Sequence, residues 1–113
     1  MTCVHLVRSR TGQLLYCRAE GHSGYAAKGQ DIVCAAVTVL LRTVVDVLSK
    51  TDGVQLNADF TTRGLVEFAV NKTGFSKKLD AELEFAGKFL EEGLSSIAQE
   101  YPENVTLYKQ TEA

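Results

Sequence analysis

No charge of one sign dominates this chain. Its 12 Lys and Arg stand against 14 Asp and Glu, a formal net charge of −2. That balance gives no electrostatic case for direct binding to nucleic acid. Cysteine is scarce and odd in number: there are 3, and none stands in a C-x-x-C pair. With two histidines they invite a zinc reading, but the paired-ligand spacing of such sites is missing. If the first two β-rich runs pair about residues 10–12, Cys17 falls opposite His5 or Leu6, and Cys3 lies well away from it. A Cys3–Cys17 disulfide is therefore not expected, which favours the cytoplasm. MTCVHLVRSR at the N-terminus lacks the apolar run of a signal peptide. The most apolar stretch, Ile32 to Leu41, reads as too short to cross a bilayer, with Arg42 and Asp46 interrupting its continuation. No membrane partner is expected. There is no internal repeat, linker or low-complexity segment.

What is present describes one folded domain of 113 residues, 45% of them apolar. Residues Val4 to Arg8 and Gln13 to Ala19 are two short β-rich runs around Arg10-Thr11-Gly12, a hairpin signature. A helix is predicted from about Asp31 to Ser49, ending near Asp52-Gly53. Its apolar residues spread almost all round the axis, so a sheet, a second helix and a partner subunit are all called on to cover it. Val54 to Phe60 alternates cleanly and Leu65 to Val70 returns as its partner strand, with Val66, Phe68 and Val70 on the buried face. Ser76 is placed to cap a second helix with a single stripe of Leu79, Leu83, Ala86, Leu90, Leu94, Ile97 and Tyr101. Gly87 and Gly93 in that helix mark close packing against a neighbour. The only proline, Pro102, stops it, and Val105 to Tyr108 makes a short last strand at a sheet edge. The predicted fold class is α+β, a two-layer sandwich of a mostly antiparallel sheet with two long helices on one face, in the order ββαββα(β).

The chemistry concentrates in Gly21 to Leu40, GHSGYAAKGQDIVCAAVTVL. Asp31 is a good N-cap residue, which sets Cys34 in the first helical turn, where the helix dipole favours an anion. His22 lies on a glycine-rich loop that can fold back toward it, with Gly21, Gly24 and Gly29 supplying backbone freedom. A thiol at a helix start with a histidine in reach is the minimum equipment of an activated cysteine nucleophile. The bland alternative is that Cys34 is a small buried apolar residue and His22 a polar loop residue. Asp31 is open to two readings, as a cap or as a carboxylate that orients the imidazole. The loop to Gln30 has the composition of a lid, and Tyr25 is placed to line the site. Cys17 with His5 is a competing dyad without help from a helix dipole.

The pattern GHxGYAxxGxDIVCAAV resembles the signature of the ribosomal-processing cysteine proteases (Prp). The resemblance implies that His22 and Cys34 are the catalytic pair of a cysteine endopeptidase, with no cofactor required. It implies a substrate too: the precursor of the large-subunit ribosomal protein numbered twenty-seven, whose short N-terminal extension is removed after a paired-aromatic motif. It further suggests a homodimer. Thr38 stands where a serine is expected in the family; the hydroxyl is kept, so the departure bears on a substrate contact and leaves the dyad alone. A second function from another class is a non-catalytic module that binds a ribosomal protein or assembly factor and needs no reactive thiol.

Overall fold

The computed structural model describes residues 1–21 and 28–112, with the side chains of residues 28–31 left out of the description. The element order is β1 (Thr2–Ser9), β2 (Leu14–Gly21), α1 (Lys28–Ser49), β3 (Val54–Asp59), β4 (Leu65–Lys72), α2 (Lys77–Glu100) and β5 (Val105–Glu112). One five-stranded sheet runs β3-β4-β2-β1-β5. All its pairings are antiparallel except β1 with β5, so the sheet is mixed. The fold is the expected α+β arrangement. The last strand is longer than its apolar residues suggested, because edge pairing with β1 continues through the polar end, Ser9 meeting Glu112.

The alternation of the strands decides which sheet face is covered. Val4 and Leu6 of β1, Cys17 and Ala19 of β2, and Phe68 and Val70 of β4 share the buried face, and register sets Leu6 opposite Cys17 and Cys17 opposite Phe68. Both helices lie on that face. α1 contributes Val33, Val37, Leu41, Val44 and Leu48, at steps of three and four, and α2 contributes Leu79, Leu83, Leu90 and Leu94. The Ser76 hydroxyl accepts the Leu79 N–H, the cap expected of it. α2 ends at Glu100, two residues before Pro102. Its two glycines are close-approach positions: a Cβ on Gly87 would sit 2.7 Å from the Gly12 carbonyl oxygen, and one on Gly93 would sit 2.7 Å from a Leu40 methyl carbon. Gly12 itself, with φ +90°, closes the β1–β2 turn in the left-handed region.

Two expectations about α1 are corrected. The helix begins at Lys28, not at Asp31. Apolar periodicity marks only turns that carry apolar residues, so it misses a first turn that reads KGQD. Asp31 is the fourth helical residue rather than the cap, Gly29 lies in the helix rather than in a loop, and Cys34 falls in the second turn. The segment Ile32–Ser49 is also long and apolar enough, by length and composition, to cross a bilayer, contrary to the reading of residues 32–41 alone. In this fold it spends one stripe on the sheet and leaves Ile32, Val39 and Val47 more than half exposed.

The other sheet face carries polar and aromatic pairs. His5 stacks on Tyr108 with ring centroids 4.8 Å apart, and the Tyr16 hydroxyl donates to Glu67 at 2.7 Å. Burial, then the Glu67 hydrogen bond, raises the Tyr16 phenol above its ordinary value of 10.0.

Candidate active site

The functional thiol has to be sought among three cysteines that the fold sends to three environments, none of them in a disulfide. Cys3 faces the open side of the sheet, since it alternates with the buried Thr2 and Val4. Cys17 is fully buried in the core, and desolvation pushes its thiol from 9.0 up to about 12. His5 projects from the opposite face of the sheet, so the competing Cys17–His5 dyad is ruled out by strand alternation. The cysteines do not converge, and among the described residues no group of three or more His, Cys, Asp or Glu side chains is placed to hold a metal.

Cys34 is different. It is half-buried, one position past Val33 on the helix, so it looks out beside the core instead of into it. It lines a cavity of about 400 Å³ with Thr2, Gly21, Thr38 and residues 60–64 of the β3–β4 turn. Thr38 is four residues on from Cys34 and on the same side of the helix, as α-helical spacing requires. The floor is the end of the sheet where Thr2 and Gly21 pair across β1 and β2. The Thr2 hydroxyl oxygen lies 3.5 Å from Cys34 Sγ.

The far wall is a tightly made turn. The Asp59 carboxylate accepts the N–H and hydroxyl of both Thr61 and Thr62, at 2.7–3.2 Å. Those donors, the Thr62 hydroxyl first, hold Asp59 down to about 2. Gly64, at φ +77°, closes the turn, and its carbonyl oxygen accepts the Gly21 N–H at 3.0 Å. Arg42 of α1 stands 5.4 Å from the Phe60 ring centre, tying the wall to the helix that carries the thiol.

Of the residues singled out in sequence, the structure brings Gly21, Cys34 and Thr38 to one cavity. His22, Gly24 and Tyr25 lie outside the described residues, as does most of the loop read as a lid. Asp31 and Gly29 are placed in the first turn of α1. Because Cys34 is the seventh residue of that helix, its N–H belongs to the helical ladder and is not one of the orphan donors of the helix start. Thr2 and the β3–β4 turn were missed. One signal for Thr2 existed: continuing the Val4, Leu6 alternation backward places a hydroxyl on the apolar face of the first strand.

A thiol beside a walled cavity, on a scaffold that buries the only competing thiol on the same sheet face, has the makings of a nucleophilic cysteine enzyme. The sequence profile of the family described as cysteine protease Prp matches residues 1–106, and the chain belongs to that family of cysteine proteases. No curated protein is significantly similar to it. Among solved structures it is similar to SMU.848 from Streptococcus mutans, at 27% identity and a TM-score of 0.76, covering 99% of this chain and 96% of that one. It is also similar to an essential ribosomal processing protease Prp from S. aureus in complex with a substrate peptide, at 19% identity and a TM-score of 0.77 over 96% of this chain and 99% of that one. The same staphylococcal protease with a covalently linked product peptide gives 21% identity and a TM-score of 0.75, with the same coverage. At 19–21% identity the staphylococcal structures speak to a shared fold.

Proposed function

We propose that this chain is the ribosomal-processing member of its family in its own cell, a cytoplasmic endopeptidase that removes the N-terminal extension of the large-subunit ribosomal protein numbered twenty-seven. The observation that carries this reading is the position of Cys34, a half-buried thiol at the edge of a cavity that is walled by the β3–β4 turn and open enough to admit an extended peptide. Three cysteines without a disulfide agree with a reducing compartment.

In this reading His22 takes the Cys34 proton, and the thiolate attacks the scissile carbonyl carbon. The tetrahedral adduct collapses as the C–N bond breaks, and the imidazolium returns the proton to the leaving amine. Water then attacks the thioester, giving its proton to His22, and release of the carboxyl product restores the thiol. Thr38 and the turn at residues 60–64 contact the peptide, and the substrate is a protein segment rather than RNA. Mass-spectrometric cleavage of the host's full-length precursor tests it. A single cut near the N-terminus by wild type, lost in Cys34→Ala and in His22→Ala, is the expected result. An intact precursor after incubation with the wild type sinks the reading.

A homodimer through the outer face of the helices belongs to the same proposal. Val39, Val47, Phe85 and Phe89 are about half exposed or more, and an apolar groove of about 590 Å³ runs between α1 and α2 there, lined by Val47, Phe85 and Phe89 among others. Sedimentation is expected to show a dimer that Phe85→Glu converts to monomer; a monomeric wild type at micromolar concentration removes the dimer.

A further inference from the structure

Thr2 is the one buried polar side chain among the described residues, at 4% exposure. Its backbone is held on both sides, paired with Gly21 of β2 and with Val105 of β5, and its N–H donates to the Asn104 carbonyl at 2.8 Å. Branching at Cβ restricts χ1, so the hydroxyl is presented in a fixed direction. That direction includes Cys34 Sγ, 3.5 Å away.

We infer that Thr2 is a positioning residue for the nucleophile, its hydroxyl hydrogen bonding to the Cys34 sulfur and favouring the thiolate. The inference rests on Cys34 being the nucleophile. While the sulfur carries its proton, either atom can donate in this contact. Once the proton has left, sulfur can only accept, and the hydroxyl becomes the donor. A hydrogen bond made to the charged form favours that form. This second-turn cysteine lies beyond the helix's first turn, where the dipole is strongest, so a fixed donor from the neighbouring strand supplies what the helix end does not.

The same geometry accounts for Gly21. A Cβ on that residue would lie 2.9 Å from the Thr2 hydroxyl oxygen and 3.4 Å from the Thr2 Cα. The backbone is rigid there, so the hydroxyl would have to rotate, and the contact with sulfur would be lost. Gly21 is thus required as a space beside Thr2, in addition to any freedom it lends the loop that follows.

The test compares Thr2→Val, which keeps the shape and removes the hydroxyl, with Thr2→Ser, which keeps the hydroxyl. Two readouts are taken: kcat and KM on the precursor, and the rate of Cys34 alkylation by iodoacetamide across pH. In that reaction the thiolate sulfur displaces iodide, the thiol proton having gone to solvent. Thr2→Val is expected to slow alkylation at neutral pH by on the order of tenfold, to move the rate profile to higher pH, and to lower kcat with KM unchanged. Thr2→Ser is expected to restore both readouts to within about threefold of wild type. A folded Thr2→Val protein with the wild-type alkylation profile overturns the inference. If Thr2→Val does not fold, Gly21→Ala serves in its place, with the same shift expected and an unchanged profile again overturning it. Alkylation reads the sulfur whether or not the precursor is cut. Failure of the protease reading therefore shows as an uncut precursor, and failure of this inference as an unmoved alkylation profile.

Discussion

Cys17 and Cys34 sit on the same side of the sheet and meet opposite fates. Cys17 lies in mid-strand, with Leu6 on one side and Phe68 on the other, under the full thickness of the helical layer. Its burial holds it as the neutral thiol up to about 12. Cys34 lies where that layer runs out, beside a hydroxyl and a cavity. The residue type is the same, so the difference is made by surroundings. A thiol becomes a reagent where the core ends, provided something fixed is there to hold its anion and something open is there to admit a substrate.

The most severe way to separate the two is removal. Cys34→Ala is expected to lower kcat/KM on the order of 10³-fold or more, as loss of a nucleophile does, whereas Cys17→Ala leaves cleavage within about twofold. Comparable losses in both variants would erase the distinction. Next is an attempt to make Cys17 resemble Cys34. Phe68→Ala opens the core against Cys17 and should cost about 3–5 kcal/mol in denaturant titrations. In the same variant Cys17 should become alkylated in native buffer, which wild-type Cys17 resists; a protected Cys17 there would mean that the core recloses. The smallest effect is in alkaline pH. The folded Cys17 thiol titrates at about 12 and an unfolded one near 9.0, so between those values the unfolded chain binds fewer protons and stability falls as pH rises. Below 9.0 this contribution is complete. Cys17→Ala should therefore have a flatter stability curve above pH 9.0, and equal slopes would show that another group dominates there.

The opposite ends of α1 explain why part of the fold was legible and part was not. At its C-terminal end, Leu41, Val44 and Leu48 face the core, and Asp52-Gly53 announce the turn, so the boundary at Ser49 was readable from local pattern. At its N-terminal end, residues 28–31 read KGQD and precede the apolar stripe, and periodicity is silent where the sequence has no apolar residue. The site divides in the same way. Gly21, Cys34 and Thr38 stood within one short stretch. Thr2 and the Asp59-stapled turn reach them only through strand pairing, across separations of 19 residues or more that no local spacing rule spans.

The amino-acid sequence by itself determined the element order, the faces of the strands, the Ser76 cap and the stretch that holds the thiol. Each of these depends on residues within a few positions of one another, where backbone geometry fixes which side chains share a face. Tertiary structure alone decided which cysteine was sealed in and which was set at a cavity, that β5 would join β1 in parallel, and that a threonine from the first strand would stand against the sulfur of residue 34. Those outcomes depend on sheet order and on where one layer ends over another, and they exist only once distant segments have packed.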